Sequence, residues 1–264
     1  MKKRWVGLLA ACAMLCASAM PVSAEEILFT YDCSKEAANA ASDVWATLKD
    51  DGVLTISGTG EMDYCGRIIL DYEEEGIARY PWQSDYDKQV EKLIVEEGVT
   101  NITKFDMLSN LKAVYLPNSL ERLGVFELSY CPNLETVVVS PGTTWIGPSK
   151  FNFAAENFKM YGYKDTYAEE YAAEYGYDFG AFGDMNADGE LNLTDAGDII
   201  KVYAQNASGT AAGVYQTAEE ITAPDVADVN QDGAVNIDDA SLSIKYYAKK
   251  AAGQTVDWTQ LLTE

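Results

Sequence analysis

Apolar residues near the start of the chain alternate with polar ones, which is the period of a half-buried β-strand. Ile27 to Tyr31 forms one such run, and Trp45 to Leu48 and Val53 to Ser57 lie on either side of Asp50-Asp51-Gly52. Two alternating runs around an Asp-Gly pair predict a β-hairpin. We therefore predict an N-terminal β-rich module over residues 25–82.

From Val90 onward the apolar pattern repeats. Strand-like runs begin at Val90, Leu111, Leu134 and Phe158, at intervals of 21, 23 and 24 residues. A second apolar pair follows each of the first three runs, and these pairs are Val99 and Ile102, Leu120 and Leu123, and Thr143 and Ile146. Because one such unit cannot bury its apolar side alone, we expect the units to stack into a solenoid.

The segment from Leu111 to Gly124 follows the pattern L-x-x-V-x-L-P-x-S-L-x-x-L-G. It resembles the BspA-like leucine-rich repeats of bacterial surface and secreted proteins. Val53 to Met62, together with Pro81-Trp82, is similar to the opening module often seen before those repeats. The resemblance extends from about Val44 to Phe179 and implies a short leucine-rich-repeat solenoid over residues 83–180.

A closing unit is expected at Gly162 to Glu169, which is similar to the end of such repeat arrays. Within it, Asp165 stands where a side chain can cap a helix, and Gly176 stands where that helix would end. We therefore predict a short helix that closes the repeats.

A different pattern occupies the C-terminal part of the chain. Asp184 to Asp195 and Asp228 to Asp239 are twelve-residue segments with oxygen-bearing side chains at positions 1, 3, 5, 9 and 12 and glycine at position 6. The second follows the first after 44 residues, and 11 of the 21 positions from Asp184 to Ala204 are identical in it. An acidic turn would explain one such segment but not its duplicate. Since calcium takes about six to eight hard oxygen ligands, we predict two calcium loops.

Each predicted loop binds one calcium ion through five side chains and one carbonyl. The side chains are Asp184, Asn186, Asp188, Asn192 and Asp195 in the first loop, and Asp228, Asn230, Asp232, Asn236 and Asp239 in the second. Glu190 and Ala234 supply the carbonyls, and Gly189 and Gly233 supply the sharp bend. Without metal the three carboxylates of each loop would repel one another, so we expect calcium to drive folding.

The flanking residues distinguish these EF-hand-like loops from true EF-hands, which need an entering helix. Gly180 and Gly183 precede the first loop, and Pro224 precedes the second. Glycine and proline both disfavour a helix. A helix leaving each loop is predicted from residues on one face, which are Ala196, Ile199, Ile200 and Tyr203, and then Ala240, Ile244, Tyr247 and Ala248.

The duplicated unit has the form G/A-D-x-N-x-D-G-x-x-N-x-x-D, with lysine six residues after the last aspartate. It resembles a dockerin, which implies that residues 183–264 form a small all-α calcium-binding module. A dockerin binds a cohesin domain of a cellulosome scaffold. The resemblance implies cohesin contacts at Leu193, Thr194, Ile200 and Lys201 in the first copy, and at Ile237, Asp238, Ile244 and Lys245 in the second. Many dockerins carry Ser-Thr at the first two positions, so the class of cohesin stays open.

Composition limits the partners and catalytic mechanisms that the chain can have. The chain has 42 acidic and 19 basic residues and a net charge of −23, which disfavours nucleic acid as a partner. It has no histidine, which excludes Ser-His-Asp and Cys-His catalysis. A catalytic carboxylate pair stays open, since a glycosidase needs only two acidic residues. No stretch after residue 24 is apolar enough to span a membrane.

Residues 1–24 have the features of a secretory signal peptide, with a basic start, an apolar core and a small-residue site that ends at Ala24. We therefore expect a secreted, extracellular protein associated with a cellulosome or the cell surface. The mature chain would keep Cys33, Cys65 and Cys131. A bond between Cys33 and Cys65 is compatible with the sequence, and Cys131 is expected to be a buried apolar residue.

The junction and the tail predict contact between the two parts. Phe182 meets Gly183 without a linker rich in proline, serine or threonine, so the parts are expected to touch. The tail carries Trp258, Leu261 and Leu262, and we predict a strand or turn that packs back on the helices.

Five aromatic residues of the N-terminal part could either bind a ligand or fill the core, and they are Tyr72, Tyr80, Trp82, Tyr86 and Trp145. An exposed row would stack on sugar rings, whereas strands and solenoid cores also favour aromatic residues. We favour the core interpretation.

Three functions fit the sequence. The first is a non-catalytic cellulosome component in polysaccharide catabolism, whose dockerin binds cohesin and whose repeats bind a polysaccharide or a protein. The second is a small carbohydrate-active enzyme that hydrolyses O-glycosyl compounds, and the third is a calcium-dependent adhesin of the cell surface. We favour the first, because strands, repeats and a cap account for residues 25–182 without a catalytic constellation. The predicted fold class is α+β multidomain, with a β-rich solenoid before a small all-α module.

Overall fold

The computed structural model describes residues 26–35, 42–63, 80–83, 86–124, 128–148, 150–208 and 224–264. The predicted signal peptide, Cys65 and Tyr72 lie outside these residues. Cys131 is buried, as predicted, and burial raises the pKa of its thiol to about 11. Cys33 is also buried in the core.

The N-terminal hairpin is confirmed. β1 (Ile27–Asp32), β2 (Asp43–Lys49) and β3 (Val53–Glu61) pair antiparallel in that order. Every second side chain of β2 is fully buried, namely Val44, Ala46 and Leu48. The alternation in the sequence therefore places one face of the hairpin on the core.

A β-solenoid of about four turns continues the same sheet. Its strands are β4 (Lys92–Val95), β5 (Val99–Asn101), β6 (Ala113–Leu116), β7 (Arg122–Leu123), β8 (Thr136–Val139), β9 (Trp145–Ile146), β10 (Lys159–Gly162) and β11 (Asp178–Ala181). β4, β6, β8, β10 and β11 follow β3 in parallel. β5 pairs with β3 and β7 pairs with β9, so one member of each second apolar pair, Val99, Leu123 or Ile146, lies in a short strand.

The last predicted repeat is shifted by one residue. The interval of 24 residues from Leu134 to Phe158 would place Tyr161 opposite Val137, but the sheet pairs Val137 with Met160. Because successive side chains of a strand face opposite sides, this shift exchanges the core face and the outer face. Met160 therefore lies in the core of the repeats, and Tyr161 packs in a second core that includes the C-terminal helices.

Aromatic rings fill the core at the start of the repeats. Trp82 stacks with Tyr80 at 4.3 Å and with Phe105 at 5.2 Å between ring centroids. All three are fully buried, which confirms the core interpretation for Tyr80 and Trp82. Trp145 is half-buried, and the Arg122 guanidinium lies 4.4 Å from its ring.

The repeats end in α1 (Tyr167–Tyr175). This helix begins after Thr166, so the prediction that Asp165 caps it is wrong. Asp165 instead has a φ of +58° and turns the chain before the helix starts. Gly176 ends α1 in the left-handed conformation, with a φ of 72°, as predicted. We call the described residues between 53 and 181, which comprise β3 to β11, α1 and the loops between them, the repeat array.

Residues 183–264 form the helical region. Its described helices are α2 (Leu193–Ala207), α3 (Ile237–Ala251) and α4 (Trp258–Leu261). α2 and α3 each leave one acidic loop and pack against each other. β11 leads into the first loop, and residues 224–227 before the second contain no helix, in agreement with the sequence prediction. The tail forms a one-turn helix rather than the predicted strand or turn. Within the described ranges, no helix has the length and apolar character needed to cross a bilayer.

A second core joins the repeat array to the helical region. The array contributes Tyr161 and Tyr163, and Phe182 lies at the junction. The helical region contributes buried side chains from the second loop, α3 and the tail, namely Val229, Ala240, Tyr246, Trp258 and Leu261. The predicted contact between the two parts is therefore present.

Candidate functional site

The two acidic loops share one backbone conformation. Ala187 and Gln231, at position 4, have φ values of 55° and 60°, and Gly189 and Gly233, at position 6, have 82° and 88°. The predicted bend at position 6 therefore needs the left-handed conformation that glycine adopts readily. The sequence duplication is a structural duplication.

Asn192 and Asn236 have a role that the sequence analysis did not identify. Each is the N-cap of the following helix, and its side chain accepts a hydrogen bond from Thr194 or Asp238. The aspartate at position 12 completes a capping box, because its side chain accepts from the backbone N–H of the same asparagine. The spacing Asn-x-x-Asp is a capping-box pattern and could have revealed this role. The same residues also belong to the predicted calcium motif, which accounted for them first.

The carboxylates of the first loop are turned toward backbone N–H groups. Asp184 Oδ2 accepts from Gly189 at 3.0 Å, and Asp195 accepts from Met185 at 3.0 Å and from Asn192 at 2.9 Å. Asp184 Oδ1 is buried and has no hydrogen-bond partner. A buried carboxylate oxygen without a donor is unfavourable unless a cation or a proton satisfies it.

The second loop repeats this arrangement with more internal hydrogen bonds. Asp228 accepts from Asp232 at 3.1 Å and from Gly233 at 2.9 Å. Asp239 Oδ1 accepts from both Val229 at 2.7 Å and Asn230 at 3.2 Å. Asp239 and its counterpart in the first loop are fully buried.

Burial raises the pKa of Asp184, Asp228 and Asp239. Neighbouring carboxylates raise each pKa further, while backbone N–H donors lower it. The protein fold therefore holds these groups where a negative charge is not fully compensated.

The two loops carry oxygen donors of the kind that a hard cation takes. Within the described residues, no group of three or more Asp, Glu, His or Cys side chains is gathered to hold a metal by itself. A cation site in these loops would therefore need the amide and carbonyl oxygens of the predicted set as well as the carboxylates. A carboxylate oxygen that accepts one hydrogen bond retains a second lone pair for a ligand, whereas Asp239 Oδ1 accepts two and would leave ligation to Oδ2. In the second loop, Asn236 Nδ2 donates a hydrogen bond to the Ala234 carbonyl at 3.2 Å, so two residues of the predicted ligand set are in contact.

The helices present matching apolar side chains to solvent. Three pairs, each 44 residues apart, are between 38% and 56% exposed, and they are Leu193 and Ile237, Ile200 and Ile244, and Tyr203 and Tyr247. Thr194, Lys201 and Asp238 are exposed and Lys245 is half-buried. The predicted apolar faces are therefore only partly buried. Ala196, Ile199 and Ala240 are buried, whereas the isoleucine and tyrosine pairs are exposed. Tyr203 and Tyr247 were not among the predicted partner contacts.

The contact between the repeat array and the helical region is polar as well as apolar. Asp165 accepts a hydrogen bond from the Tyr246 hydroxyl at 2.6 Å and forms an ion pair with Lys250 at 2.9 Å. Although burial alone would raise the pKa of Asp165, these two donors hold it below its usual value. The Trp258 indole donates to the Lys164 carbonyl at 2.9 Å. The Asp165 side chain therefore belongs to this contact rather than to a helix cap.

An exposed apolar stripe lies on the repeat array. Met107, Tyr130 and Phe153 recur at intervals of 23 residues and are 66%, 53% and 54% exposed. Tyr130 and Phe153 stack with 4.3 Å between ring centroids. The sequence analysis missed this stripe, although apolar residues at the repeat interval were the signal that could have revealed it.

Comparisons with known proteins assign no family. No family profile matches the chain, and no curated protein matches it. Among solved structures, a leucine-rich repeat protein from Eubacterium ventriosum ATCC 27560 matches at 19% identity over 52% of this chain, with a TM-score of 0.30. This chain spans 44% of that protein, and a likeness at this level assigns neither a family nor a function.

Proposed function

We propose that the chain is a secreted, non-catalytic component of a cellulosome-type assembly. In this proposal the helical region is a dockerin that binds two calcium ions and docks on a cohesin domain, and the repeat array presents a ligand surface. The observation that carries the proposal is the pairing of two equivalent acidic loops with two equivalent exposed helix faces. The resemblance of the loop sequences to dockerins supports the same assignment.

The loops would act by fixing the helices. Asp184, Asn186, Asp188, Glu190, Asn192 and Asp195 would hold one ion, and the residues 44 positions later would hold the other. A bound cation supplies the positive charge that the buried carboxylates of each loop lack. Since Asp195 and Asp239 also complete the capping boxes of α2 and α3, a cation that holds these carboxylates in place would also hold the first turn of each helix.

The helix faces would supply the docking contacts. Each copy exposes a leucine or isoleucine at the start of its helix, then an isoleucine, and then a tyrosine one turn further on. Exposed apolar side chains in such a patch favour a protein partner over open solvent. Because the two copies match, we expect two alternative docking orientations, used one at a time.

Binding assays with a panel of cohesins test this proposal. The full chain is expected to bind a cohesin in calcium and to lose binding in EDTA. Ile200→Asp and Ile244→Asp each leave one face intact, so binding should persist in the single variants and disappear in the double variant. Tyr130→Ala, on the repeat array, is the matched control and should bind normally. Equal binding with and without EDTA would refute calcium-dependent docking.

The exposed stripe favours a second, compatible function for the repeat array, which is binding of a neutral polysaccharide. The stacked rings of Tyr130 and Phe153 offer an apolar surface of the kind that packs against sugar rings. Their sequence neighbours Ser129, Cys131 and Asn152 carry no charge. The net charge of −23 disfavours polyanions, so a neutral polymer is the ligand that the stripe fits best.

Retention on insoluble neutral plant cell-wall polymers tests the polysaccharide proposal. We expect the full chain to be retained and the Tyr130→Ala/Phe153→Ala variant to pass through, while Trp45→Ala, which changes another exposed aromatic residue, is retained. Retention of the double variant would exclude the stripe as the binding surface. Release of soluble sugar by the wild-type chain would instead favour the carbohydrate-active enzyme.

A further inference from the structure

The repeat array contacts one acidic loop directly. The Tyr163 hydroxyl donates a hydrogen bond to the Val229 carbonyl at 2.8 Å, and Val229 is the second residue of the loop Asp228 to Asp239. Both residues are buried, and 66 residues separate them in sequence. A side chain of the array therefore satisfies a backbone group inside a predicted calcium loop.

This hydrogen bond is one peptide group away from a predicted ligand. The Val229 carbonyl and the Asn230 N–H belong to the same planar peptide unit. That N–H donates to Asp239 Oδ1 at 3.2 Å. Donation to the carbonyl polarises the peptide and strengthens donation from its N–H. Tyr163 thus acts on the position of Asp239 through a single rigid group.

The first loop differs at this point. Its corresponding residue, Met185, also donates its N–H to the aspartate at position 12, at 3.0 Å. Among the described residues, however, no hydrogen bond reaches the Met185 carbonyl, and Asn186 makes no backbone hydrogen bond to Asp195. Met185 is half-buried, whereas Val229 is fully buried. The two loops are alike in sequence but differ in their surroundings.

We propose that Tyr163 is a positioning residue of the second calcium loop, so that the repeat array sets the calcium affinity of that loop and not of the first. The inference rests on the proposed calcium binding. Hydrogen bonds that orient metal ligands typically change metal affinity by about 10- to 100-fold. Because Tyr163 acts through a peptide group, we expect an effect near the lower end, about tenfold.

Calorimetric titration of the full chain with calcium chloride tests the proposal. Tyr163→Phe keeps the ring and removes the hydroxyl, and it should weaken one of two sites about tenfold and leave the other unchanged. Asp184→Ala and Asp228→Ala, each of which disables one loop, assign the sites. Tyr163→Phe should weaken the site that remains in Asp184→Ala and have no effect in Asp228→Ala.

Tyr246→Phe is the matched control. It removes a hydroxyl from the same contact, but that hydroxyl donates to Asp165 and not to a loop. Both calcium affinities should therefore be unchanged in it, with circular dichroism confirming that each variant is folded. The inference is wrong if Tyr163→Phe changes neither site or both equally, or if Tyr246→Phe has the same effect. A wild-type chain that binds no calcium would overturn the proposed function as well, which separates the two failures.

Discussion

The repeat array and the helical region differ in the acidic groups that they bury. The array stacks parallel strands around apolar side chains, with the fully buried rings of Tyr80, Trp82 and Phe105 at one end. The helical region also has apolar residues in its core, but it buries the carboxylates of Asp195 and Asp239 beside them. The first kind of core is complete without a ligand. In the second, burial raises the pKa of Asp239 despite its backbone N–H donors, so we expect the stability of this region to depend on a cation.

Trp82→Ala should produce the largest effect and should act on the array alone. Replacing a fully buried, stacked tryptophan typically costs about 3–5 kcal/mol of stability, and here the loss should be the same with calcium or EDTA. Thermal denaturation followed by far-ultraviolet circular dichroism measures it. Trp45→Ala is the control, because Trp45 is 41% exposed and should cost about 1 kcal/mol or less. A calcium-dependent loss for Trp82→Ala would contradict the independence of the array core.

Gly183→Ala should have an intermediate effect at the boundary between the two regions. Gly183 has a φ of +88°, and an added Cβ would lie 2.8 Å from Leu191 Cδ1 and 2.9 Å from Ser243 Oγ. We expect a loss of about 2–4 kcal/mol, from the left-handed backbone and from overpacking. Gly253→Ala is the matched control, since its φ is +72° and nothing lies within 4 Å of the added atom. Equal melting temperatures for the two variants would show that the junction is not tightly packed.

The pH dependence of stability should have opposite signs with and without calcium, and we expect this effect to be the smallest. The folded-state pKa values of Asp184, Asp228 and Asp239 are raised above their usual 3.8. The metal-free folded state therefore binds protons more tightly than the unfolded state. Its stability should fall as the pH rises from about 3.8 through the raised pKa values. With calcium, protons compete with the metal, so stability should rise over the same range.

Urea denaturation in EDTA and in calcium, in steps from pH 4 to pH 7, measures this difference. Asp228→Asn should reduce the pH dependence in EDTA, because it removes one of the groups with a raised pKa. A metal-free protein that is more stable at pH 7 than at pH 4 would contradict the expected sign. Asp165 acts with the opposite sign, since its pKa is lowered and its stabilising effect is lost only as the pH falls below about 3.8.

Local patterns in the sequence predicted local structure well. The hairpin around Gly52, the strands of the repeats and the bends at Gly189 and Gly233 follow from alternation and from backbone conformations that favour glycine. The register of the last repeat was not predictable from spacing. The interval from Phe158 to Met160 is one residue shorter than that from Leu134 to Val137, and this difference changes the face of each side chain in the strand.

The sequence indicated that the two parts touch, but not which side chains make the long-range contacts. Asp165 looked like a helix cap because its position in the chain suits one, whereas its partners, Tyr246 and Lys250, lie in α3. Tyr163 and Val229 are likewise brought together only when the array and the helical region pack. Motifs identify loops from neighbouring residues, but they do not show which of two similar loops another region contacts.

Hydrogen exchange of the full chain in calcium and in EDTA tests the central comparison most directly. It measures backbone protection separately in α2 and α3 and in the strands β4, β6 and β8. We predict that EDTA speeds amide exchange in α2 and α3 by at least about tenfold and leaves the three strands unchanged. Equal protection of α2 and α3 in both conditions would show that the helical region folds without metal, and it would contradict the account.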